Sequence, residues 1–138
     1  MAIADLVLGT MYFGTAVDES TSHAILDAFA EAGGTTLDTA NCYSFWRSDT
    51  GRGGQSEAVI GRWLARNPGV RERLVIATKV GVEPVPGGPE GAVEGLAPYV
   101  IRREVERSRE RLGIDTIDVY WAHADDRDTP LEDTVSAL

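Results

Sequence analysis

Four ionisable side chains in this sequence could together move a proton onto a carbonyl oxygen. Asp38 and Tyr43 stand five residues apart in LDTANCYSFW, Lys79 lies in LVIATKV and His123 ends IDVYWAH. A free phenol titrates near ~10, so a tyrosine that exchanges protons near neutrality needs a cation beside it to favour the phenolate. Lys79 is the candidate cation. Asp38 would hold Lys79, because a buried ammonium needs a counter-charge, and His123 could donate a hydrogen bond to an oxygen on which negative charge develops. Each residue alone has a plainer role, as a cap, a solvent-facing amine or a structural histidine. Capping does not require the four types to recur on successive units of one fold.

The elements that would position them are repeated. Residues 6–10, 35–39, 74–80 and 117–123 are short runs rich in Val, Ile, Leu and Thr, and they read as strands. Their near-continuous apolar character suits parallel strands covered on both faces. A stretch with helical periodicity follows each one.

The first helix is expected to place Ile25, Ala28, Phe29 and Ala32 on one face, with Asp18 or Ser20 as cap, Gly33-Gly34 as stop and His23 on the exposed side. The second takes Ser56 as N-cap and Glu57 at the positive end of its dipole, buries Val59, Ile60, Trp63 and Leu64, and ends at Asn67-Pro68-Gly69. The third starts near Pro98 and carries Ile101, Val105, Ser108 and Leu112 in one stripe to Gly113, its Arg and Glu residues forming a solvated, paired face. The fourth has a capping box, with Thr129 as N-cap, Pro130 first and Glu132 third.

Alternating strand and helix imply right-handed crossovers and a parallel α/β sheet, either doubly wound or part of a barrel. A complete (β/α)8 barrel takes about 250 residues, so four units in 138 residues would be about half of one. In such folds ligands gather at the carboxyl ends of the strands, where Asp38, Lys79 and His123 fall.

Composition narrows the function classes. With 43% apolar and 25% charged residues the chain suits one packed core, and a net charge of -9 without a basic block argues against nucleic acid or an anionic membrane as partner. The start, MAIADLVLG, lacks the basic region and apolar stretch of a secretion signal, and no run reaches membrane-spanning length; a cytoplasmic location is expected. Cys42 stands alone, so no internal disulfide is expected; no CxxC or paired-histidine spacing offers a metal site, and the thiol reads as a spectator. Gly51-Arg52-Gly53-Gly54 lacks the Lys-Ser/Thr of a P-loop, and the Gly/Pro-rich segment 82–97 reads as a mobile rim or a disordered loop.

Five stretches, LGTMYFG, LDTANCY, GQSEAVIGRWL, IATKVG and IDVYWAH, together resemble the N-terminal half of an aldo-keto reductase, the NADPH-dependent (β/α)8 family. The resemblance covers essentially the whole chain and implies that residues 1–138 are the N-terminal half-barrel, a parallel (β/α)4 half of a TIM (β/α)8 barrel, with the C-terminal half absent. It implies a catalytic tetrad at Asp38, Tyr43, Lys79 and His123, and reduction of an aldehyde or ketone to an alcohol. It also implies that Gly9, Thr10, Met11 and Asp38 pass beside the nicotinamide of NADPH. Tyr12, Trp46 and His123 would meet the substrate, with Phe13 and Phe45 as further wall candidates. Gly9 could equally serve only to ease a tight turn.

In this family the rest of the cofactor is held largely by the second half of the barrel. The resemblance therefore implies a chain inactive alone, as a fragment, a truncated product or one chain of a two-piece barrel, whose partner is a second half-barrel, either a copy of itself or a separate C-terminal chain. A non-catalytic half-barrel serving assembly or binding is the alternative. Schiff-base chemistry at Lys79 would leave Tyr43 and His123 without roles. The loop SFWRSDTGRGG is longer than the family's usual Y-G-x-SE join, so the substrate class stays open.

Overall fold

The structure, a computed structural model, describes residues 5–138; residues 1–4, part of the stretch read for a secretion signal, lie outside them. The element order is β1 (Val7–Gly9), α1 (Glu19–Glu31), β2 (Thr36–Asp38), α2 (Gln55–Arg66), β3 (Val75–Val80), α3 (Pro98–Leu112), β4 (Val119–Ala122) and α4 (Leu131–Ala137). The strands form one parallel sheet in the order β1-β2-β3-β4. This is the arrangement of a partial (β/α) barrel, as the alternating pattern implies.

Because side chains alternate across a strand, each strand divides its residues between two faces. Leu37 and Ile76, opposite each other in the β2–β3 register, are both fully buried under the helices. They share one core with Leu26 of α1, Ile60 and Trp63 of α2, and Leu112 of α3. A smaller cluster joins Val80 to Leu96, Val100 and Ile101. Among the described residues no helix covers the other face: Val7, Val75 and Trp121 are 58%, 39% and 53% exposed. Asp38 and Lys79 belong to this open face, since Asp38 is level with Ala77 and Lys79 with Trp121.

Glycine sets the spacing of α2 and α3. A Cβ on Gly61 would lie 2.1 Å from the carbonyl oxygen of Arg111, so the two backbones approach more closely than any other residue allows. Gly53 plays the same part beside the second strand's loop, where a Cβ would lie 2.4 Å from the Asn41 carbonyl oxygen.

Several local expectations are corrected. The buried face of α1 is Ser22 and Leu26, with Phe29 and Ala30 packed at its edge, while Ile25, Ala28 and Ala32 are exposed. Of its two expected caps Asp18 is the one used, accepting from the Thr21 backbone N–H at 2.8 Å. His23 is not a free surface residue: its Nε2 is 3.1 Å from the Val59 carbonyl oxygen, so it links α1 to α2.

The N-cap position of α2 is Gly54, and Ser56 lies within the first turn. Thr129 does not cap α4, which begins at Leu131; its hydroxyl donates to Asp126 instead. Segment 82–97 is structured by a Pro84–Val93 bridge and by Glu83 and Glu94, whose side chains are buried. In α3, Val105 is only partly buried and Glu104 is fully buried, so the charged residues are not all on a solvated face.

Candidate active site

The quartet assembles at the carboxyl edge of the sheet. Asp38 ends β2, Lys79 is next to last in β3, and His123 follows β4 with its backbone N–H donating to the Val80 carbonyl at 2.9 Å. Tyr43 reaches back from the loop after β2 and donates from its hydroxyl to Oδ2 of Asp38 at 2.9 Å.

Lys79 is the only lysine among the 13 basic residues, and the position suits an ammonium. An ammonium has three donors, and Nζ meets three acceptors: Oδ2 of Asp38 at 2.6 Å, the Thr39 carbonyl at 2.8 Å and the Tyr43 hydroxyl oxygen. The Lys79 and Tyr43 donors therefore converge on one carboxylate oxygen. The planar fork of an arginine could not reproduce this set.

The His123 ring stands edge-on to Tyr43 with centroids 5.7 Å apart. Burial, then the charge of Lys79, lower its pKa against the opposing pull of Asp38, so the imidazole is neutral at pH 7. Tyr43 departs from the expectation that Lys79 brings the phenol down. Burial, followed by the hydrogen bond to Asp38 and its charge, holds the phenol above its ordinary value. A proton therefore stays on the tyrosine oxygen at neutral pH.

The first βα loop is fixed from below. Thr10 is fully buried, and its hydroxyl donates to the Asp38 carbonyl and lies 2.8 Å from the Ser56 hydroxyl, which is also 2.8 Å from that of Thr39. The Thr10 side chain thus ties β1, β2 and α2 together and is turned away from the rim. Met11 offers its carbonyl to Ser44 at 2.6 Å, joining this loop to the one that bears Tyr43. Tyr12 and Trp46 are both exposed, whereas Phe13 is buried in the main core and Phe45 stacks edge-on against Trp46.

Gly9 is placed without local strain. Its φ is outside the left-handed region, and a Cβ there would meet no atom within 4 Å. Neither turn geometry nor packing of this chain calls for glycine at that place. The open space lies beside Asp38, its β2 partner, so the residues present fit the close approach of a flat ring at the rim.

Sequence reasoning missed the supports beneath the site. Glu57 accepts from Thr78 at 2.6 Å and pairs with Arg111. Glu104 pairs with Arg103 and Arg107, Glu94 accepts from Asn41 at 2.7 Å, and Glu83 accepts from the Gly53 N–H. Cys42 lies with Sγ 3.4 Å from Nδ1 of His123. A cavity of about 280 Å³ between the segment after β3 and α3, lined in part by Arg52, Glu83 and Arg103, does not include the quartet. Among the described residues no His/Cys/Asp/Glu group forms a metal site, and no helix is long and apolar enough to cross a membrane.

Comparison with known proteins matches these features. The solved aldo-keto reductase AKR11C1 from Bacillus halodurans (holo form) superposes with a TM-score of 0.76 at 32% identity, over 96% of this chain and 40% of that one. The Bacillus subtilis oxidoreductase YrpG is 38% identical over 140 residues, all of this chain and 41% of its own length. The human aflatoxin B1 aldehyde reductase member 2 is 37% identical over 131 residues, covering 95% of this chain and 32% of that protein. The chain thus spans about two fifths or less of the length of these relatives. The Aldo/keto reductase family profile covers residues 5–138, and with the sheet order and rim just described it follows that the chain belongs to the aldo/keto reductase family.

Proposed function

We propose that this chain supplies the proton-transfer half of an NADPH-dependent reduction of an aldehyde or ketone to an alcohol. Asp38, Tyr43, Lys79 and His123 are its catalytic residues. The observation that carries the reading is the Tyr43 hydroxyl held between the Lys79 ammonium and the Asp38 carboxylate.

A nicotinamide held at this rim would supply a hydride to the carbonyl carbon. The carbonyl π pair then moves onto oxygen, where Nε2 of His123 donates a hydrogen bond and Tyr43 gives up its proton. A phenol held above its ordinary pKa is loaded with that proton at neutral pH. The phenolate left behind rests against Lys79, whose charge is balanced by Asp38. Solvent returns the proton.

Gly9, the backbone at Thr10 and Met11, and Asp38 would line the nicotinamide side of the rim. Tyr12 and Trp46, exposed beside it, would line the substrate side. The apolar open face carrying Val7, Val75 and Trp121 supports pairing with a second half-barrel, a copy of this chain or a C-terminal partner. The working compartment in this reading is the cytoplasm.

The test is an NADPH oxidation assay with a simple aldehyde. The 138-residue chain alone is expected to give no steady turnover, and the chain completed with the C-terminal half of the Bacillus subtilis relative is expected to give it. A completed barrel that binds NADPH but reduces no carbonyl compound would favour a non-catalytic assembly module.

A further inference from the structure

Cys42, the chain's one cysteine, is buried immediately before Tyr43. Its Sγ lies 3.4 Å from Nδ1 of His123, a contact that spans 81 positions of sequence. The backbone N–H of His123 is fixed to Val80, and the ring is braced edge-on by Tyr43. Nδ1 is thus turned to sulfur, and Nε2 is on the opposite side of the ring.

We propose that Cys42 sets the tautomer of His123: its S–H donates to Nδ1, which keeps the proton of the neutral imidazole on Nε2. This rests on the reading of His123 as the group that donates to the substrate oxygen. The direction follows from donor and acceptor strengths. A bare imidazole nitrogen is a good acceptor and a thiol sulfur a poor one, while a thiol is a weak donor. The reverse arrangement, Nδ1–H towards sulfur, would leave a bare Nε2 lone pair facing a carbonyl lone pair.

The surrounding charges support a neutral pair. Burial, then the charges of Glu83 and Glu94, outweigh Lys79 and push the Cys42 thiol up to about 12. Burial and Lys79 outweigh Asp38 to keep His123 below its usual value. Tyr43, edge-on to the ring, holds its own proton. Cys42 is then a positioning residue that acts through His123.

The composition makes the test direct, because the chain has one cysteine and two histidines. In the 138-residue chain labelled with nitrogen-15 histidine, the His123 signals, assigned with His23→Gln, are expected to show a bare Nδ1 and a protonated Nε2 near pH 7.5. The single S–H stretching band in Raman spectra is expected at lower frequency than in the urea-unfolded chain, and to lose that shift in His123→Phe. Cys42→Ser should retain protonated Nε2, whereas Cys42→Ala should admit a measurable Nδ1–H fraction.

A proton on Nδ1 in the parent chain, or an S–H band with the same frequency folded and unfolded, would overturn the proposal. Neither reading depends on turnover. A completed barrel without reductase activity would therefore count against the proposed reaction and not against this contact.

Discussion

Thr78 donates at 2.6 Å to the fully buried carboxylate of Glu57, which ties the second helix to the strand residue immediately before Lys79. The other carboxylate oxygen pairs with Arg111 of α3. Removing it by Glu57→Ala leaves the buried Thr78 hydroxyl without its acceptor and Arg111 with only its looser pairing to Glu104, at a cost of about 1–3 kcal/mol. Glu57→Gln, which can still accept from Thr78, should cost less. Urea unfolding of both variants checks the order.

Gly61→Ala should destabilise the same junction by about 1–3 kcal/mol, since the added methyl meets backbone rather than a movable side chain. Gly9→Ala is the counterpart. It should leave stability within about 0.5 kcal/mol, yet weaken NADPH binding in the completed barrel. Equal loss of stability in the two variants would refute the distinction.

Tyr43→Phe in the completed barrel should lower kcat by about 10²- to 10⁴-fold, the usual weight of a positioned proton donor, while NADPH binding measured by fluorescence is retained. Lys79→Arg should also lose most activity despite conserving charge, because the guanidinium cannot meet the three acceptors held by Nζ. Near-parental kcat in Tyr43→Phe would remove this residue as the acid.

Two neighbouring buried glutamates should respond to pH with opposite signs. Glu94 is held above its ordinary pKa by burial, which outweighs the hydrogen bond from Asn41. The native state then binds the proton more readily, and this group's contribution to stability falls as pH rises from its unfolded pKa through its folded one. Glu94→Gln should therefore gain stability relative to the parent between pH 4 and pH 7.

Glu104 is the reverse case: burial raises its pKa, but Arg103 and Arg107 overcome that and hold the carboxyl low. Its contribution is present above the unfolded pKa and is lost as pH falls through the folded one. Glu104→Gln should lose ground over the same rise in pH. Denaturation midpoints of the two variants at both pH values provide the comparison.

The four strands were legible because uninterrupted apolar runs bounded by turns have few other uses, and the meeting of Asp38, Lys79 and His123 because they fall at or near the ends of those runs. The face of α1 was not, since Ile25 and Leu26 are adjacent and either can begin an i, i+3, i+4 series; contact with α2 buries Leu26. Glu57, Glu94 and Glu104 were unreadable for a related reason. Their sequence pattern is that of a solvated helix or loop, and only the close α2–α3 approach at Gly61 and the fold of the segment after β3 put them under cover. Cys42 and His123 lie too far apart in sequence for any local pattern to connect them.

Lys79 carries the only side-chain amine in the chain. An amine-directed reagent therefore addresses a single side chain, and its three hydrogen bonds join β3 to β2 and the Tyr43 loop. The rate at which that one amine is acylated would count the fraction of molecules with an assembled rim, sample by sample, before any substrate is known.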